Sequence, residues 1–328
     1  MKLTKMLYLS RSDVESIGLR MTEVIVLIEQ SSVEKGQGMT ELPPKKRLHP
    51  KSGDGSFSSL PCIYQRLNIV GCKWQSGFHT NEKLGLPQQV GLIVINDIET
   101  GCPLAVMDST WIVSMRTAAA AAVATKYFSR QDSKRLAILG CGVQGRTHAE
   151  SILIVRPSIK EIKAYDVNQE SLEKYATEIE GRFKVQCIPT KNPQEAVSNS
   201  DIIVTASRII RNAPGIIEES WLKEGVFASP SDYDSYWKRN ALNSFNRIYT
   251  DDIPTLHDLK QYGFFQYLPD VDAELADVVV GKKPGRENDE EKIMFMNIGI
   301  GLSDVIVADK IYKIAREKEI GVELNLFT

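Results

Sequence analysis

The feature that most constrains the fold is a glycine-rich turn near the middle of the chain. Residues 140–145 read Gly-Cys-Gly-Val-Gln-Gly and fit the pattern Gly-x-Gly-x-x-Gly. The turn follows the apolar run Arg135–Leu139 and opens a helical pattern at Val143. The acid Asp166 ends the next apolar run, 21 residues after Gly145. A strand, a glycine turn, a helix and an acid in this register are typical of a βαβ unit that binds a dinucleotide.

Each glycine of this turn has its own structural role. The first permits a tight turn, the second lets a pyrophosphate approach the backbone, and the third allows the helix to pack closely on the strand. The start of the helix offers N–H groups and a positive dipole to the phosphates. The acid is placed to hydrogen-bond the adenosine ribose and to repel a 2′-phosphate, which favours NAD(H) over NADP(H). We therefore predict an NAD site formed by Gly140, Gly142, Val143, Gln144, Gly145 and Asp166.

Apolar and helical segments alternate through the second half of the chain, which predicts a doubly wound parallel sheet, the Rossmann arrangement. The first part differs: residues 8–38 have a helical pattern, and three β-rich runs between residues 59 and 96 precede an alanine-rich helix that ends at Phe128. A last long helix is predicted from about Ser303 to Lys318. We expect an α/β protein with two domains, a Rossmann domain of residues 127–296 and a second α/β domain of residues 1–126 with 297–328.

Charge and cysteine usage exclude several classes of function. Lysine and arginine total 40 and aspartate and glutamate 42, so the formal net charge is −2. Without a basic excess, the chain is not expected to bind a nucleic-acid backbone. The five cysteines form no Cys-x-x-Cys pair, and no histidine lies near one at zinc-ligand spacing, so no metal site is predicted. The longest early apolar stretch, residues 24–28, is too short to span a bilayer, and we expect a cytoplasmic protein.

Further motifs around the glycine turn carry a resemblance to a known family. The segments Cys72–Gly77 and Ser114–Ala119 precede the turn, and in this order and spacing all three resemble the ornithine cyclodeaminase/mu-crystallin family. The resemblance runs from Leu7 to Leu326. The two ends of the chain look most like dehydrogenases that make a diaminopropionate precursor for siderophores. Additional matching segments are residues 97–101, 284–287 and 297–304.

The resemblance implies that NAD(H) or NADP(H) is bound and that α-amino acids or their imines are the substrates. It implies that Arg116 binds the substrate carboxylate, and a guanidinium can form two parallel hydrogen bonds with a carboxylate. It also implies that Lys73 is the catalytic lysine, because an ammonium beside the reacting nitrogen can donate a proton to it. Lys46 stands where many members carry a second carboxylate-binding arginine, and Lys45 or Arg47 could serve in a shifted register.

One candidate acid and two departures from the family pattern bear on the reaction. Asp234 matches the aspartate that assists at the amino group in cyclodeaminases, and Asp232 is its competitor in the same segment. Cyclodeaminases carry a carboxylate where this chain has Ser58, and their Asn-Ala-Val-Gly run is replaced by Ala228–Ser231. Both changes argue against cyclisation of ornithine, because that reaction needs acid and base groups for two amines and ammonia.

The favoured function is that of an NAD-dependent amino-acid dehydrogenase or imine reductase, which transfers hydride between NAD(H) and the α-carbon of its substrate. The alternatives are an ornithine cyclodeaminase-type ammonia lyase that recycles its NAD, and a crystallin-like binding protein with little turnover. Substrate binding and dimerisation are expected from the domain of residues 1–126 with 297–328, with the reaction in the cleft at the carboxyl edge of the parallel strands. The expected partners are a small-molecule substrate and a second copy of the chain, with neither nucleic acid nor membrane.

Overall fold

Two compact units make up the chain. The computed structural model describes residues 5–51 and 55–327, apart from the side chains of His79 and Glu82. The units consist of Met1–Arg116 with Ile300–Thr328 and of Thr117–Gly299.

The strands and helices are numbered in chain order. The strands are β1 (Lys5–Leu9), β2 (Thr40–Glu41), β3 (Lys46–Leu48), β4 (Ser56–Tyr64), β5 (Ile69–Gly77), β6 (Gln89–Asn96), β7 (Pro103–Asp108), β8 (Arg135–Leu139), β9 (Glu161–Tyr165), β10 (Gln186–Pro189), β11 (Ile202–Thr205), β12 (Phe227–Pro230), β13 (Arg247–Thr250), β14 (Ala273–Glu274), β15 (Ile293–Met296) and β16 (Val322–Asn325). The α-helices are α1 (Arg11–Ser16), α2 (Met21–Gly36), α3 (Thr110–Phe128), α4 (Val143–Val155), α5 (Gln169–Phe183), α6 (Pro193–Val197), α7 (Arg239–Asn243), α8 (Ile253–Gln261), α9 (Leu275–Val279) and α10 (Gly301–Lys318).

The first unit is built on a mixed sheet in the order β16-β1-β7-β6-β5-β4-β2, with β3 also paired to β4. Strand β1 runs parallel to β7 and antiparallel to β16, so the C-terminal segment lies beside the N-terminal one. The segment from residue 8 onward does not begin as a helix, as its pattern predicted, because Tyr8 and Leu9 pair with β7. The helices start only after Ser10, whose side chain caps α1.

The two faces of this sheet have different surroundings. Helices α2 and α10 pack together, and α10 lies against β4, β5 and β6. Because successive side chains of a strand point to opposite faces, β5 buries Lys73 on the helix side and exposes Trp74 on the other. The face opposite α10 presents a row of exposed apolar side chains on neighbouring strands: Tyr8, Leu48, Trp74, Val90, Leu92 and Leu324.

The second unit contains a parallel sheet in the order β10-β9-β8-β11-β12-β15-β13-β14. Every paired strand of this sheet in the described residues is parallel to its neighbour. The order changes direction at β8, which lies between β9 and β11. Ligands of doubly wound sheets bind outside the carboxyl ends of the strands at such a switch point. The predicted α/β class and Rossmann sheet are confirmed.

Strands β11, β12 and β15 are buried along their whole lengths, as expected when both faces of a parallel sheet are covered.

Across the described residues, no helix combines the length and the apolar character that crossing a membrane would require.

Candidate active site

The glycine turn has the geometry that its sequence predicts. Gly140 has φ +106°, which only glycine adopts readily, and a Cβ there would lie 2.5 Å from the Ala206 carbonyl oxygen. A Cβ on Gly145 would meet the Gly140 carbonyl, so close packing of helix and strand needs glycine at this position too. A Cβ on Gly142, in contrast, would meet no other group within 4 Å. Gly142 therefore faces open space at the start of α4, where a phosphate can approach the backbone.

Asp166 lies directly beside this turn. One carboxylate oxygen accepts a 2.7 Å hydrogen bond from the Cys141 backbone N–H, and the other accepts one of 2.8 Å from Asn168 N–H. The acid therefore joins the end of β9 to the turn that follows β8. This is the place at the carboxyl edge of the sheet where a ribose hydroxyl would need an acceptor. Val143 and Gln144 follow in the first turn of α4, and Val143 is exposed.

His148 lies one turn further along α4 and is fully buried. Its Nδ1 lies 2.7 Å from the Gln144 carbonyl oxygen, and its Nε2 lies 2.9 Å from Ser231 Oγ. Burial lowers the pKa of His148 to about 4, so the ring is neutral at physiological pH. This histidine therefore joins α4 to the segment after β12, and we assign it no catalytic role.

The two candidate acids after β12 differ in their surroundings. Asp232 is fully buried and accepts hydrogen bonds of 2.5 Å from both Thr205 Oγ1 and Ser207 Oγ, as well as one of 3.2 Å from Ser207 N–H. Burial raises the pKa of the Asp232 carboxyl group to about 6, although the hydrogen bonds from Thr205 and Ser207 oppose this shift. Asp234 is only partly buried, and burial also raises the pKa of its carboxyl group. Asp232 thus holds the ends of β11 and β12 together, whereas Asp234 is more accessible.

The first unit contains a buried ionic cluster of Lys73, Arg116 and Asp304. Lys73 Nζ lies 2.7 Å from one carboxylate oxygen of Asp304, and Arg116 Nε donates a 2.9 Å hydrogen bond to the other. Lys73 is 1% exposed, Arg116 6% and Asp304 0%. The structure therefore brings together the predicted lysine and arginine through a shared acid.

Burial lowers the pKa of Lys73 to about 7, although the nearby Asp304 opposes this shift. The positive charges of Arg116 and Lys45 lower the pKa further. An ammonium with such a pKa can give up and regain its proton near neutral pH, which general acid–base catalysis requires.

Sequence reasoning missed Asp304. Its signal was a single acid in the run 301–308, which is otherwise apolar or small and is buried throughout. The start of α10, which carries Asp304, packs closely on β4. A Cβ on Gly301 would lie 2.6 Å from the Leu60 carbonyl oxygen. Leu60 is paired with Lys73 across β4 and β5, so the first turn of α10 faces that lysine.

The register of the sheet bears on the predicted role of Lys46. Lys46 pairs with Ser59, which in turn pairs with Trp74, and these positions belong to the exposed face. Arg47, the next residue of β3, pairs with Ser58 and therefore lies on the face of Lys73. Lys45 precedes β3, and its charge lowers the pKa of Lys73, which indicates that it lies near that lysine.

Comparison with known proteins agrees with this architecture. The sequence profile of the ornithine cyclodeaminase/mu-crystallin family matches residues 4–319. N-((2S)-2-amino-2-carboxyethyl)-L-glutamate dehydrogenase of Staphylococcus aureus is 32% identical over an alignment of 338 positions, which covers 98% of this chain and 99% of that protein.

Two solved structures are similar over nearly the whole chain. Thermococcus litoralis Δ1-pyrroline-2-carboxylate reductase, in complex with NADH and L-proline, is 30% identical with a TM-score of 0.85, covering 97% of this chain and 99% of that one. An archaeal alanine dehydrogenase dimer with bound NAD is 29% identical with a TM-score of 0.86, covering 98% and 100%. The predicted resemblance is confirmed: the chain belongs to the ornithine cyclodeaminase/mu-crystallin family.

Proposed function

We propose that this chain is an NAD-dependent oxidoreductase that transfers hydride between NAD(H) and the α-carbon of an amino acid or its imine. The observation that carries the proposal is the buried pair of Lys73 and Arg116 on the shared carboxylate of Asp304. With a pKa of about 7, Lys73 is suited to donate a proton, and Arg116 is suited to bind a carboxylate. Relatives about 30% identical over nearly the whole chain include an alanine dehydrogenase and a Δ1-pyrroline-2-carboxylate reductase, and their structures contain NAD or NADH.

The second unit fits a dinucleotide. Gly142 leaves open space before the helix N-terminus, and Asp166 stands at the turn as a hydrogen-bond acceptor. Gly140, Val143, Gln144 and Gly145 complete the surface that would bind the pyrophosphate. NAD(H), when bound, supplies or accepts the hydride, and the protein contributes position and charge.

The ionic cluster of the first unit fits an anionic substrate. Lys73 and Arg116 share the one carboxylate of Asp304, so the protonated form of Lys73 leaves this three-residue cluster with a net positive charge. A substrate carboxylate would balance this excess. Arg116 uses Nε for Asp304, and its terminal nitrogens are the pair that we assign to the two carboxylate oxygens.

A second carboxylate ligand would come from the segment before β3. Lys46 was predicted for this role, but the strand register favours its neighbours, and we propose Lys45 because its charge acts on Lys73. Lysine supplies a point charge rather than a planar fork, so it would strengthen binding without orienting the carboxylate.

In imine reduction, the Lys73 ammonium donates its proton to the imine nitrogen while the α-carbon accepts hydride, which yields the amine and NAD⁺. Lys73 then regains a proton from water, and in the oxidative direction each transfer runs in reverse. Asp234 is proposed to contact the amine side, since it is the more accessible of the two acids after β12. Arg116 keeps the carboxylate fixed throughout, so the reacting carbon stays in one position.

An NADH-oxidation screen tests the proposal. The protein is mixed with NADH and either Δ1-pyrroline-2-carboxylate or α-keto acids that are each paired with ammonia or an amino-acid amine. The proposal is supported if NADH is oxidised by the cyclic imine alone, or by a keto acid only together with its nitrogen source, and if Lys73→Ala abolishes this oxidation. Ammonia release from ornithine without net NADH would instead identify the cyclodeaminase alternative. Tight NADH binding without turnover of any substrate would identify the binding protein.

We further propose a homodimer formed through the first unit. The support is the apolar row on the face of its sheet opposite α10, with Trp74 45% and Leu92 44% exposed. Apolar patches of this kind on a soluble protein mark interaction surfaces, and the similar alanine dehydrogenase was solved as a dimer. Residues 1–126 with 297–328 would thus bind substrate and form the dimer, and residues 127–296 would bind NAD. The cytoplasm stays our predicted location, from the use of five cysteines as free thiols.

A further inference from the structure

We infer that Asp304 is a positioning residue that holds the Lys73 ammonium and the Arg116 guanidinium in one network, so that Lys73 is protonated when a substrate arrives. The inference deepens the proposed function and rests on it. Asp304 does not itself touch the substrate in this scheme, and its effect passes through the two cations.

Geometry is the first support. The three side chains come from strand β5, helix α3 and helix α10, which are far apart in sequence. Each oxygen of the carboxylate serves a different cation, at 2.7 Å to Lys73 Nζ and 2.9 Å to Arg116 Nε. A carboxylate held in this way sets the distance between the proton donor and the carboxylate ligand. Its movement would displace both groups at once, and small displacements cost much of the rate in proton and hydride transfer.

Charge is the second support. Desolvation disfavours the ammonium of Lys73, and the positive charges of Arg116 and Lys45 disfavour it as well. Within the described part of the chain, the carboxylate of Asp304 is the largest influence that favours the ammonium. The neighbouring titratable groups of β4, Cys62 and Tyr64, are neutral at physiological pH because burial raises the pKa of each. On β5 itself, burial likewise raises the pKa of the Cys72 thiol.

Removing the charge of Asp304 should therefore deprotonate Lys73 at neutral pH. Asp304→Asn keeps the shape of the side chain and removes its charge. We expect the pKa of Lys73 to fall by at least about one unit from its value of about 7. Asp304→Glu keeps the charge, so the pKa should stay within about half a unit of the wild-type value.

The measurement is an NMR titration of protein labelled at the lysine ε-carbons, with the Lys73 signal assigned by its loss in Lys73→Met. Asp309→Asn is the matched control, since Asp309 is another ion-paired acid of α10, 2.7 Å from Lys313. It should leave the titration of Lys73 unchanged. Circular dichroism confirms folding of each variant, and if Asp304→Asn does not fold, Asp304→Glu and Arg116→Gln decide the question.

The outcomes separate this inference from the proposed function. The inference is overturned if the pKa of Lys73 is unchanged in Asp304→Asn. It is also overturned if the pKa falls by about one unit or more in Asp304→Glu, which keeps the charge. In Arg116→Gln the pKa should rise, because a repelling charge is lost, and an unchanged value also overturns it. The titration needs no turnover, so a protein that shows these shifts but reduces no imine would contradict only the proposed function. A protein that reduces imines with Lys73 insensitive to Asp304 would contradict only the inference.

Discussion

The Cys141 backbone N–H donates a 2.7 Å hydrogen bond to the Asp166 carboxylate, which joins the glycine turn to the acid of the next strand. The two features that predicted a dinucleotide site from sequence are thus parts of one local structure. The acid is held by the backbone of the turn and not by its own strand alone, so its position beside a bound ribose would be well defined.

We predict that NADH binds at least about tenfold more tightly than NADPH, a difference of about 1.4 kcal/mol. Asp166 would accept hydrogen bonds from the ribose hydroxyls and repel a 2′-phosphate. Asp166→Ala should reduce the preference. Fluorescence titration of both nucleotides measures it. Asp201→Asn is the control, since Asp201 also binds backbone N–H groups, at the opposite end of β8. Equal affinities in the wild type would remove Asp166 from this role.

Lys73→Ala should lower kcat and leave NADH binding unchanged, because proton transfer belongs to the transition state. Steady-state kinetics measures the loss. A variant that keeps more than about a third of the wild-type rate has lost less than ~0.7 kcal/mol, and the proton-transfer role would be wrong.

The pH dependence should follow the titration of the same lysine. Reduction needs the protonated form, so kcat/KM for an imine should fall as pH rises through about 7. Oxidation of the amino acid needs the neutral form, so its kcat/KM should rise over the same range. Profiles in both directions with a common midpoint would support the assignment. Midpoints that persist in Lys73→Arg would assign the titration to another group.

Arg116→Lys should weaken substrate binding by about 1.5–3 kcal/mol, because it keeps the charge and removes the planar fork. The expected result is a KM for the carboxylate substrate raised by about one to two orders of magnitude. NADH titration of the variant is the internal control. An unchanged KM would show that the guanidinium serves only as a partner of Asp304.

Asp234→Asn should reduce turnover strongly without changing the dissociation constant of NADH. We expect this loss because the partly accessible carboxylate of Asp234 is proposed to contact the amine side of the substrate, and an amide cannot accept a proton there. Asp232→Asn is the comparison, and kinetics of both variants decide between the two acids. A greater loss of turnover in folded Asp232→Asn would identify Asp232 as the functional carboxylate.

Asp232→Ala should instead act on stability. It leaves Thr205 Oγ1 and Ser207 Oγ without their buried acceptor, so we expect the free energy of unfolding to fall by about 1–3 kcal/mol. Urea unfolding measures this difference. Asp234→Ala should cost less, because its carboxylate is less buried.

Leu92→Asp should convert the protein to a monomer in solution, because it places a charge at the centre of the apolar row. Light scattering after size exclusion measures the mass. Val26→Asp on the exposed side of α2 is a control with the same change of charge, because α2 packs on α10 and lies on the other side of the sheet from this row. A Leu92→Asp protein that stays dimeric would place the interface elsewhere.

Local patterns predicted much of the second unit and the last helix of the first. The glycine turn, the alternation of strands and helices, and the end of α3 at Phe128 agree with the structure. The last helix was predicted from Ser303 and begins at Gly301, with its end at Lys318 in both. Such features depend on residues close in sequence, since turn conformation, helix periodicity and βα alternation are each determined by short segments of the chain.

The sequence by itself thus predicted the Rossmann sheet and the glycine turn beside Asp166, and its resemblance to the family singled out Lys73 and Arg116 as candidates. Only the tertiary structure decided that Asp304, 188 positions after Arg116, binds both cations. It also decided that Lys46 belongs to the face of Trp74, and that the first residues form a strand beside β7 and β16. The physical reason is that strand register and helix docking join distant segments, and a shift of one residue exchanges the two faces of a strand.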